Sequence, residues 1–289
     1  MFIISDKPGQ LCNQLWSYTN IIAIARECKV KVVIILGEEY FEMFNVVKIA
    51  TGNIIIIKEK SVCAKILRWV AHFARNKEKM KPMFSALKLF NIRFIYGYVE
   101  EEKLKTKYKK RGLNFILSWH QRNNHNFFYN NRLFIQKLVS PTINIKQEVD
   151  ECMQSLKQAY GIIVGVHLRK GDYINFKEGR YFFSDATYLS YMIQMSALLK
   201  NNNILFYLFS NEKIIKLNFK GVSIFCKDNQ PASGDLWAMS QCNYIMGPPS
   251  TFSMWASFWQ QCPLRFLENE NELLSLDQFK TVVAQNIFR

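Results

Sequence analysis

A chain of 289 residues, 49% of them hydrophobic and 15% aromatic, can bury one large core or two modest ones, and its size favours two domains with a cleft between them. Ordinary glycine and proline contents exclude collagen-like and low-complexity chains. Seven scattered cysteines without a CxxC pair argue against a zinc ribbon or a disulfide scaffold. We expect a globular cytoplasmic protein with free thiols, because the N-terminus also resembles a first strand more than a signal peptide.

The net charge of +15 is unevenly distributed along the chain. Residues 58–111 contain 16 Lys or Arg against 5 Glu, a net +11, and the remainder is close to neutral. Such a region is compatible with binding to nucleic acid, to an anionic membrane surface or to a phosphorylated substrate. Composition alone leaves these three partners open.

The N-terminal half begins with a strand-helix-strand pattern. β-Branched runs at residues 2–5 and 30–36 flank residues 11–28, whose apolar residues recur at helical spacing. A third apolar run, at 54–57, precedes Ser61, which can cap a basic helix through about residue 75. This helix has apolar and basic residues largely on opposite sides, namely Ile66, Trp69, Val70 and Phe73 against Lys65, Arg68, His72 and Arg75. Residues 76–150 show no regular pattern.

From about residue 150, helix and strand patterns alternate. A helix ending near residue 160 leads to an apolar strand at 162–167, and the next helix runs over 184–199. Further strands are predicted at 204–209, 222–225, 244–246 and 264–266, and further helices near 211–217, 233–241 and 250–260. This alternation predicts a parallel sheet covered by helices, in which ligands bind beyond the carboxyl ends of the strands.

The strongest candidate site is the sequence His-Leu-Arg-Lys-Gly-Asp at residues 167–172, where the first of these strands ends. Arg169 offers a planar fork of donors suited to phosphate oxygens, and Lys170 offers a compact charge. Asp172 can orient Arg169 or accept a proton. The alternative is a surface turn with an ordinary Arg-Asp ion pair, and local evidence leaves the two interpretations evenly matched.

Two other segments follow predicted strands. Residues 247–253 place Ser250 and Thr251 at the start of a helix. Backbone N–H groups and the helix dipole can hold a phosphate there. The alternative is that the hydroxyls simply cap the helix. Residues 7–14 join the first strand to the first helix and place Asn13 near the start of that helix, again with a ligand-free capped turn as the alternative.

Several catalytic motifs are absent from the sequence. There is no GxGxxG, GxxxxGK[ST] or HExxH, which argues against dehydrogenase, P-loop and zinc-protease chemistry. There is also no Asp-x-Asp pair. We therefore expect no metal site and no cofactor, so that cationic side chains and backbone donors neutralise a leaving group.

Three segments resemble the α-1,2-fucosyltransferases of glycosyltransferase family 11, in their bacterial form. Residues 8–16 are similar to the family's Gly-x-Leu-Gly-Asn-Gln turn, residues 166–173 to its His-x-Arg-Arg-x-Asp motif and residues 250–256 to its Ser-Thr-Phe-Ser-Trp-Trp-Ala segment. Their order and spacing match as well. Lys170 stands where the family has a second Arg, and Cys12 stands in place of a glycine.

The resemblance implies a GT-B-like fold of two facing α/β Rossmann-like domains with the donor cleft between them. Residues 1–150 would form an acceptor-side domain with a basic helical insertion at about 58–111, and residues 151–289 would form the domain that binds the GDP-sugar. The donor-binding residues implied are His167, Arg169, Lys170, Ser210, Glu212, Ser250, Thr251 and Phe252. Glu212 would accept hydrogen bonds from guanine, in a Ser-Asn-Glu segment that replaces the family's Ser-Asp-Asp.

The implied activity is inverting, metal-independent transfer of fucose from GDP-fucose to a hydroxyl, O-2 of a galactoside, on a surface glycan, O-antigen or capsular repeat. Arg169 and Asn13 would lie at the reacting centre, with Asp172 and Glu178 as candidates for the general base. The acceptor would be a glycan or lipid-linked oligosaccharide. Separately from the resemblance, the charge of the basic region suggests that the helix at 61–75 and the basic run at 105–111 dock on the anionic inner face of the inner membrane, with an ordinary solvated charged face as the evenly matched alternative. The alternatives are another GDP-sugar as donor, a catalytically silent sugar-nucleotide-binding module, or a nucleic-acid-binding protein.

Overall fold

The computed structural model describes residues 1–4, 6–37, 40, 43–45, 52–75, 91–107, 112–122, 125–200 and 203–289. The chain divides into two compact units, Met1–Thr142 and Ile143–Arg289. The boundary proposed from the sequence, at residue 150, falls inside the helix Ile143–Ala159 of the second unit. In that unit Asp150 accepts hydrogen bonds from the Trp237 indole (2.6 Å) and the Gln241 amide (2.8 Å).

The first unit contains a parallel sheet with the strand order β3-β2-β1-β5-β4. Its strands are β1 (Phe2–Ile4), β2 (Val32–Leu36), β3 (Ile54–Lys58), β4 (Ile92–Ile95) and β5 (Leu113–Ile116). Its helices are α1 (Leu11–Glu27), α2 (Val62–Arg75), α3 (Glu101–Lys107), α4 (His125–Asn130) and α5 (Arg132–Leu138). The predicted strand-helix-strand start is confirmed for the residues described, which omit residue 5.

The basic region is not the helical insertion that the sequence predicted. It does contain α2, where Ser61 accepts a hydrogen bond from the Ala64 N–H (3.2 Å), as the capping pattern predicts. It also supplies β4, an edge strand paired in register with β5. Residues 76–90 and 108–111 of the predicted insertion lie outside the described residues.

Helix α2 packs on the sheet of the first unit. Ala71 is buried against Ile3 and Phe115, and Leu67 and Val70 pack on the same cluster. Burial of this apolar surface is the main stabilising contribution for the helix, since a 14-residue helix is marginal by itself in water.

The second unit contains a parallel sheet with the order β10-β9-β6-β7-β8, followed by a β11-β12 hairpin. Its strands are β6 (Ile162–Leu168), β7 (Ile204–Ser210), β8 (Ile224–Phe225), β9 (Tyr244–Gly247), β10 (Leu264–Phe266), β11 (Val282–Ala284) and β12 (Ile287–Phe288). Its helices are α6 (Ile143–Ala159), α7 (Asp185–Leu199), α8 (Ala232–Ser240) and α9 (Thr251–Gln260). The helix predicted near 211–217 is wrong, because that stretch is irregular and leads into a single turn, Lys216–Phe219.

The topology of the second sheet fixes where a ligand can bind. The chain leaves β6 through α7 to β7 on one side and returns through α8 to β9 on the other side, so the direction of winding reverses between β6 and β9. In open α/β sheets the crevice at such a switch point, beyond the carboxyl ends of the strands, is where ligands bind. The loops after β6 and β9 border this crevice.

Candidate functional site

Arg169 is the first residue after β6 and is held from three sides. Its Nη2 donates to Asp172 Oδ2 at 2.8 Å, and its backbone N–H donates to the Tyr188 hydroxyl at 3.2 Å. Its guanidinium carbon lies 5.1 Å from the centre of the Tyr173 ring. The side chain is only 15% exposed. The strongest predicted phosphate ligand therefore lies at the switch point in a fixed orientation, and Asp172 holds it there.

Lys170 points to a different partner. Its ammonium lies 2.7 Å from Asp185 Oδ1 and donates to the Phe183 carbonyl at 2.8 Å. Burial alone would raise the pKa of Asp185, but hydrogen bonds from Lys170 and Asn218 outweigh it and hold that pKa below its usual value. Lys170 thus ties the loop after β6 to the start of α7, and its role as a donor ligand stays a prediction.

His167 is the buried member of the motif. Burial, followed by the nearby charge of Arg169, lowers the pKa of His167 to about 3, so the imidazole is neutral at physiological pH. Its ring centre lies 5.2 Å from that of Phe252 at the start of α9. The Nδ1 atom has no hydrogen-bond partner among the described residues. His167 therefore carries no positive charge at this site, and the hydrogen-bonding capacity of its buried Nδ1 is unused by the described residues.

The loop after β9 contacts the loop after β6 directly. The Tyr173 hydroxyl donates to the Pro249 carbonyl at 2.7 Å. The Ser250 hydroxyl accepts from the Phe252 N–H at 3.2 Å and so caps α9, as the alternative interpretation of this segment predicted. Thr251, partly exposed, is the first residue of that helix. The two segments that the sequence singled out therefore form one surface at the amino end of α9, where the helix dipole favours an anion.

The segment after β7 packs on the other side of the Arg169 loop. The Asn211 amide oxygen accepts from the Lys170 N–H at 3.3 Å, and the Ser210 hydroxyl accepts from the Glu212 N–H at 3.1 Å. Gly171 has a φ of +51°, and a Cβ there would lie 2.9 Å from Asn211 Nδ2 and 3.0 Å from Glu212 Oε1. The positive φ favours glycine at this position, and a side chain there would also displace the flexible end of Glu212, the predicted guanine ligand.

Two predicted residues stand apart from this group. Glu178 is exposed and lies in a left-handed turn in which Lys177, Glu178 and Gly179 have φ values of 48°, 60° and 76°. Asn13 belongs to the first unit, in the first turn of α1, where its amide packs over Gly9. Their roles at a reacting centre stay predictions.

Within the described part of the chain, no three His, Cys, Asp or Glu side chains are grouped to hold a metal ion. None of the helices found there is long and apolar enough to cross a bilayer.

A sequence model described as glycosyl transferase family 11 matches residues 29–280. The chain belongs to this family. The resemblance predicted from the three segments is thereby confirmed. An α-1,2-colitosyltransferase of Escherichia coli is 24% identical to this family 11 glycosyltransferase over 272 residues, which span 89% of this chain and 87% of that protein.

Solved structures similar to this glycosyltransferase include the fucosyltransferases NodZ and POFUT1. NodZ from Bradyrhizobium has a TM-score of 0.60 at 14% identity, with 94% of this chain and 97% of NodZ covered. POFUT1 in complex with GDP-fucose has a TM-score of 0.59 at 11% identity, with 93% and 97% covered. These likenesses confirm the predicted GT-B-like fold class of two α/β units.

Two tyrosines at the site of this family 11 glycosyltransferase were not predicted from the sequence. Tyr173 and Tyr188 are buried, and their hydroxyls bond to the loop after β9 and to the Arg169 backbone. Burial raises the pKa of both phenols, so both stay protonated. Tyr173 follows Asp172 in the motif and could have been proposed from its position. Tyr188 lies 19 residues beyond Arg169, and only the packing of α7 on β6 brings it there.

Proposed function

We propose that this glycosyltransferase moves fucose from GDP-fucose to a hydroxyl, O-2 of a galactoside, on a surface glycan, O-antigen or capsular repeat. One observation carries the proposal: Arg169 is fixed at the switch point of the second sheet, beside the amino end of α9. This is a site for a diphosphate. Family membership and the fucosyltransferase fold support fucose as the sugar.

In the proposed mechanism, an acceptor hydroxyl attacks C1 of fucose while the bond from C1 to the GDP oxygen breaks, with inversion. The guanidinium of Arg169 and the N–H groups of the first turn of α9 stabilise the negative charge that develops on the diphosphate. We propose that these groups do so without a metal ion. His167, neutral and buried, would contribute a hydrogen bond on the ribose and phosphate side.

Asp172 is best proposed as a positioning residue, because its carboxylate is already ion-paired with Arg169 at 2.8 Å. Glu178, exposed on the same loop, remains the candidate base; alternatively, the acceptor proton passes to solvent.

On the nucleoside side, Glu212 would accept hydrogen bonds from the guanine N1–H and exocyclic amine, while the Ser210 hydroxyl accepts a hydrogen bond from the Glu212 backbone N–H.

The decisive experiment is the replacement of Arg169 with Ala. We expect GDP release and transfer from GDP-fucose to fall by about 100-fold or more, the effect of removing one charge-stabilising donor, with the circular dichroism spectrum unchanged. Arg180→Ala is the matched control, because Arg180 is an exposed cation of the same loop. An Arg169→Ala variant that keeps more than a tenth of the activity would remove Arg169 from the centre of this mechanism.

A second candidate donor has its own support. The E. coli relative is named as a colitosyltransferase, and colitose is fucose without the C3 hydroxyl. Initial rates with GDP-fucose and GDP-colitose, each with and without a chelator, decide between the two sugars and test the proposed metal independence. Thermal shift with GDP, UDP and CMP separates a transferase from a silent nucleotide-binding module, which would bind GDP without turning over either donor.

We propose that the reaction takes place in the cytoplasm, where the seven free cysteines found in the chain would stay reduced. The acceptor would be a glycan or a lipid-linked oligosaccharide, with Asn13 facing it from the first unit.

A further inference from the structure

Helix α2 has a second apolar side that the core does not use. Val62, Ile66 and Trp69 are 71%, 56% and 62% exposed, whereas Ala64 is buried and Ala71 packs against the sheet. The three exposed residues are spaced by four and three positions, so they form one stripe along the helix, roughly opposite its buried side. We call Val62, Ile66 and Trp69 the α2 stripe.

The surroundings of the α2 stripe are basic. Lys65 is exposed and lies between stripe residues in sequence, and His72 follows one turn after Trp69. The acidic residue near the start of α2, Glu59, is bound by Arg68 and by Lys7, whose ammonium lies 3.2 Å from it. These hydrogen bonds, that of Arg68 first, hold the pKa of Glu59 below its usual value. The local acid is thus neutralised within the protein, and the surface keeps an excess of positive charge.

We propose that the α2 stripe docks this enzyme on the surface of an anionic lipid bilayer. Exposed aliphatic and tryptophan side chains beside cations are the composition of helices that lie in the membrane interface, where the apolar residues enter the acyl boundary and the cations meet anionic headgroups. The helix lies along the surface and does not cross it.

The charge around the α2 stripe favours an anionic bilayer over two other partners, a second copy of the chain and a nucleic acid. A second copy of the chain would bring the same positive region, residues 58–111 with a net +11, against itself. A nucleic acid would meet the cations and could stack a base on Trp69, but it would leave the aliphatic Val62 and Ile66 in water, since binding to phosphates and bases does not use aliphatic surface. An anionic bilayer uses both features.

The proposal is independent of the donor chemistry. The α2 stripe lies in the first unit, and the Arg169 loop lies in the second. Vesicle binding therefore tests docking, and GDP binding tests the donor site.

Co-sedimentation with vesicles of phosphatidylcholine and about one quarter phosphatidylglycerol, at about 50 mM salt, is the test. We expect binding that falls at least tenfold when the whole α2 stripe is changed to Ser. Lys65→Gln should weaken binding to anionic vesicles about fivefold. The matched control is Leu133→Ser on α5, since Leu133 is also 71% exposed, and it should bind like the unmodified protein.

An unmodified protein that stays in the supernatant, or a stripe variant that sediments equally well, would overturn the proposal. So would a dimer that the stripe variant converts to a monomer in size-exclusion chromatography. If the stripe variant loses the circular dichroism spectrum of the unmodified protein and is therefore misfolded, Trp69→Phe decides. Brominated lipid should quench the tryptophan fluorescence of the unmodified protein more than that of Trp69→Phe, and equal quenching would refute docking.

Discussion

The stability of the enzyme should depend on pH through His167. Burial holds the pKa of this imidazole at about 3 in the folded protein, against 6.5 for the solvent-exposed imidazole of the unfolded chain. Below pH 6.5 the unfolded chain therefore binds a proton that the folded protein does not bind. This difference favours unfolding increasingly as the pH falls from 6.5 to about 3, and it amounts to about 2 kcal/mol at pH 5.

The measurement is urea unfolding at pH 7.5 and pH 5 for the unmodified protein and for His167→Gln. Gln keeps a polar side chain but has no titrating group, and the other ionisable residues contribute equally to both proteins. We expect the free energy of unfolding of the variant to lose about 2 kcal/mol less between the two pH values, whatever its absolute stability. Equal losses in the two proteins would show that His167 is not buried in the neutral state, and its assigned role as an uncharged hydrogen-bonding group would fail.

Three further predictions concern the frame of the site. Tyr173→Phe removes the hydrogen bond to the loop after β9 and should raise the Kd for GDP about fivefold, measured by calorimetry. The free energy of unfolding should fall by about the contribution of one hydrogen bond, about 1 kcal/mol. An unchanged Kd would contradict a positioning role for Tyr173. Gly247→Ala places a Cβ 2.6 Å from the His167 carbonyl oxygen and should lower the free energy of unfolding by about 2 kcal/mol, whereas Gly52→Ala, with no atom within 4 Å of its Cβ, should change it little. Lys170→Met breaks the ion pair with α7 and should cost about 2 kcal/mol of stability, measured by urea unfolding, but reduce turnover far less than Arg169→Ala; a loss of turnover equal to that of Arg169→Ala would return Lys170 to the donor site.

The central part of the second sheet was predictable because its strands are continuous apolar runs. Residues 162–167 and 204–209 have no other stable place than a buried parallel sheet, and the first polar residues after such strands must lie at its carboxyl edge. Arg169 and the start of α9 could therefore be located from the sequence. The pairing order that makes the gap between β6 and β9 the switch point needed the structure.

Other features depend on contacts between distant segments. β4 and β5 are four-residue strands interrupted by Arg93 and Asn114, and pairing with neighbouring strands makes them strands. Which group the Lys170 ammonium contacts depends on where α7 begins. The local sequence does not distinguish a lysine that binds phosphate from one that forms an ion pair with Asp185. The helix predicted near 211–217 failed because Asn211 and Glu212 are held in the loop that packs on Gly171.

Because the chain divides into two units at residue 142, we expect that its halves can be exchanged with those of related enzymes. Every candidate donor ligand lies C-terminal to the junction, in a unit with its own sheet and core. A crossover between Thr142 and Ile143 should therefore join the donor half of this protein to the N-terminal half of another family 11 member. We expect such a chimera to keep its thermal shift with GDP while its acceptor preference follows the new N-terminal half, so that nucleotide choice and acceptor choice can be inherited separately.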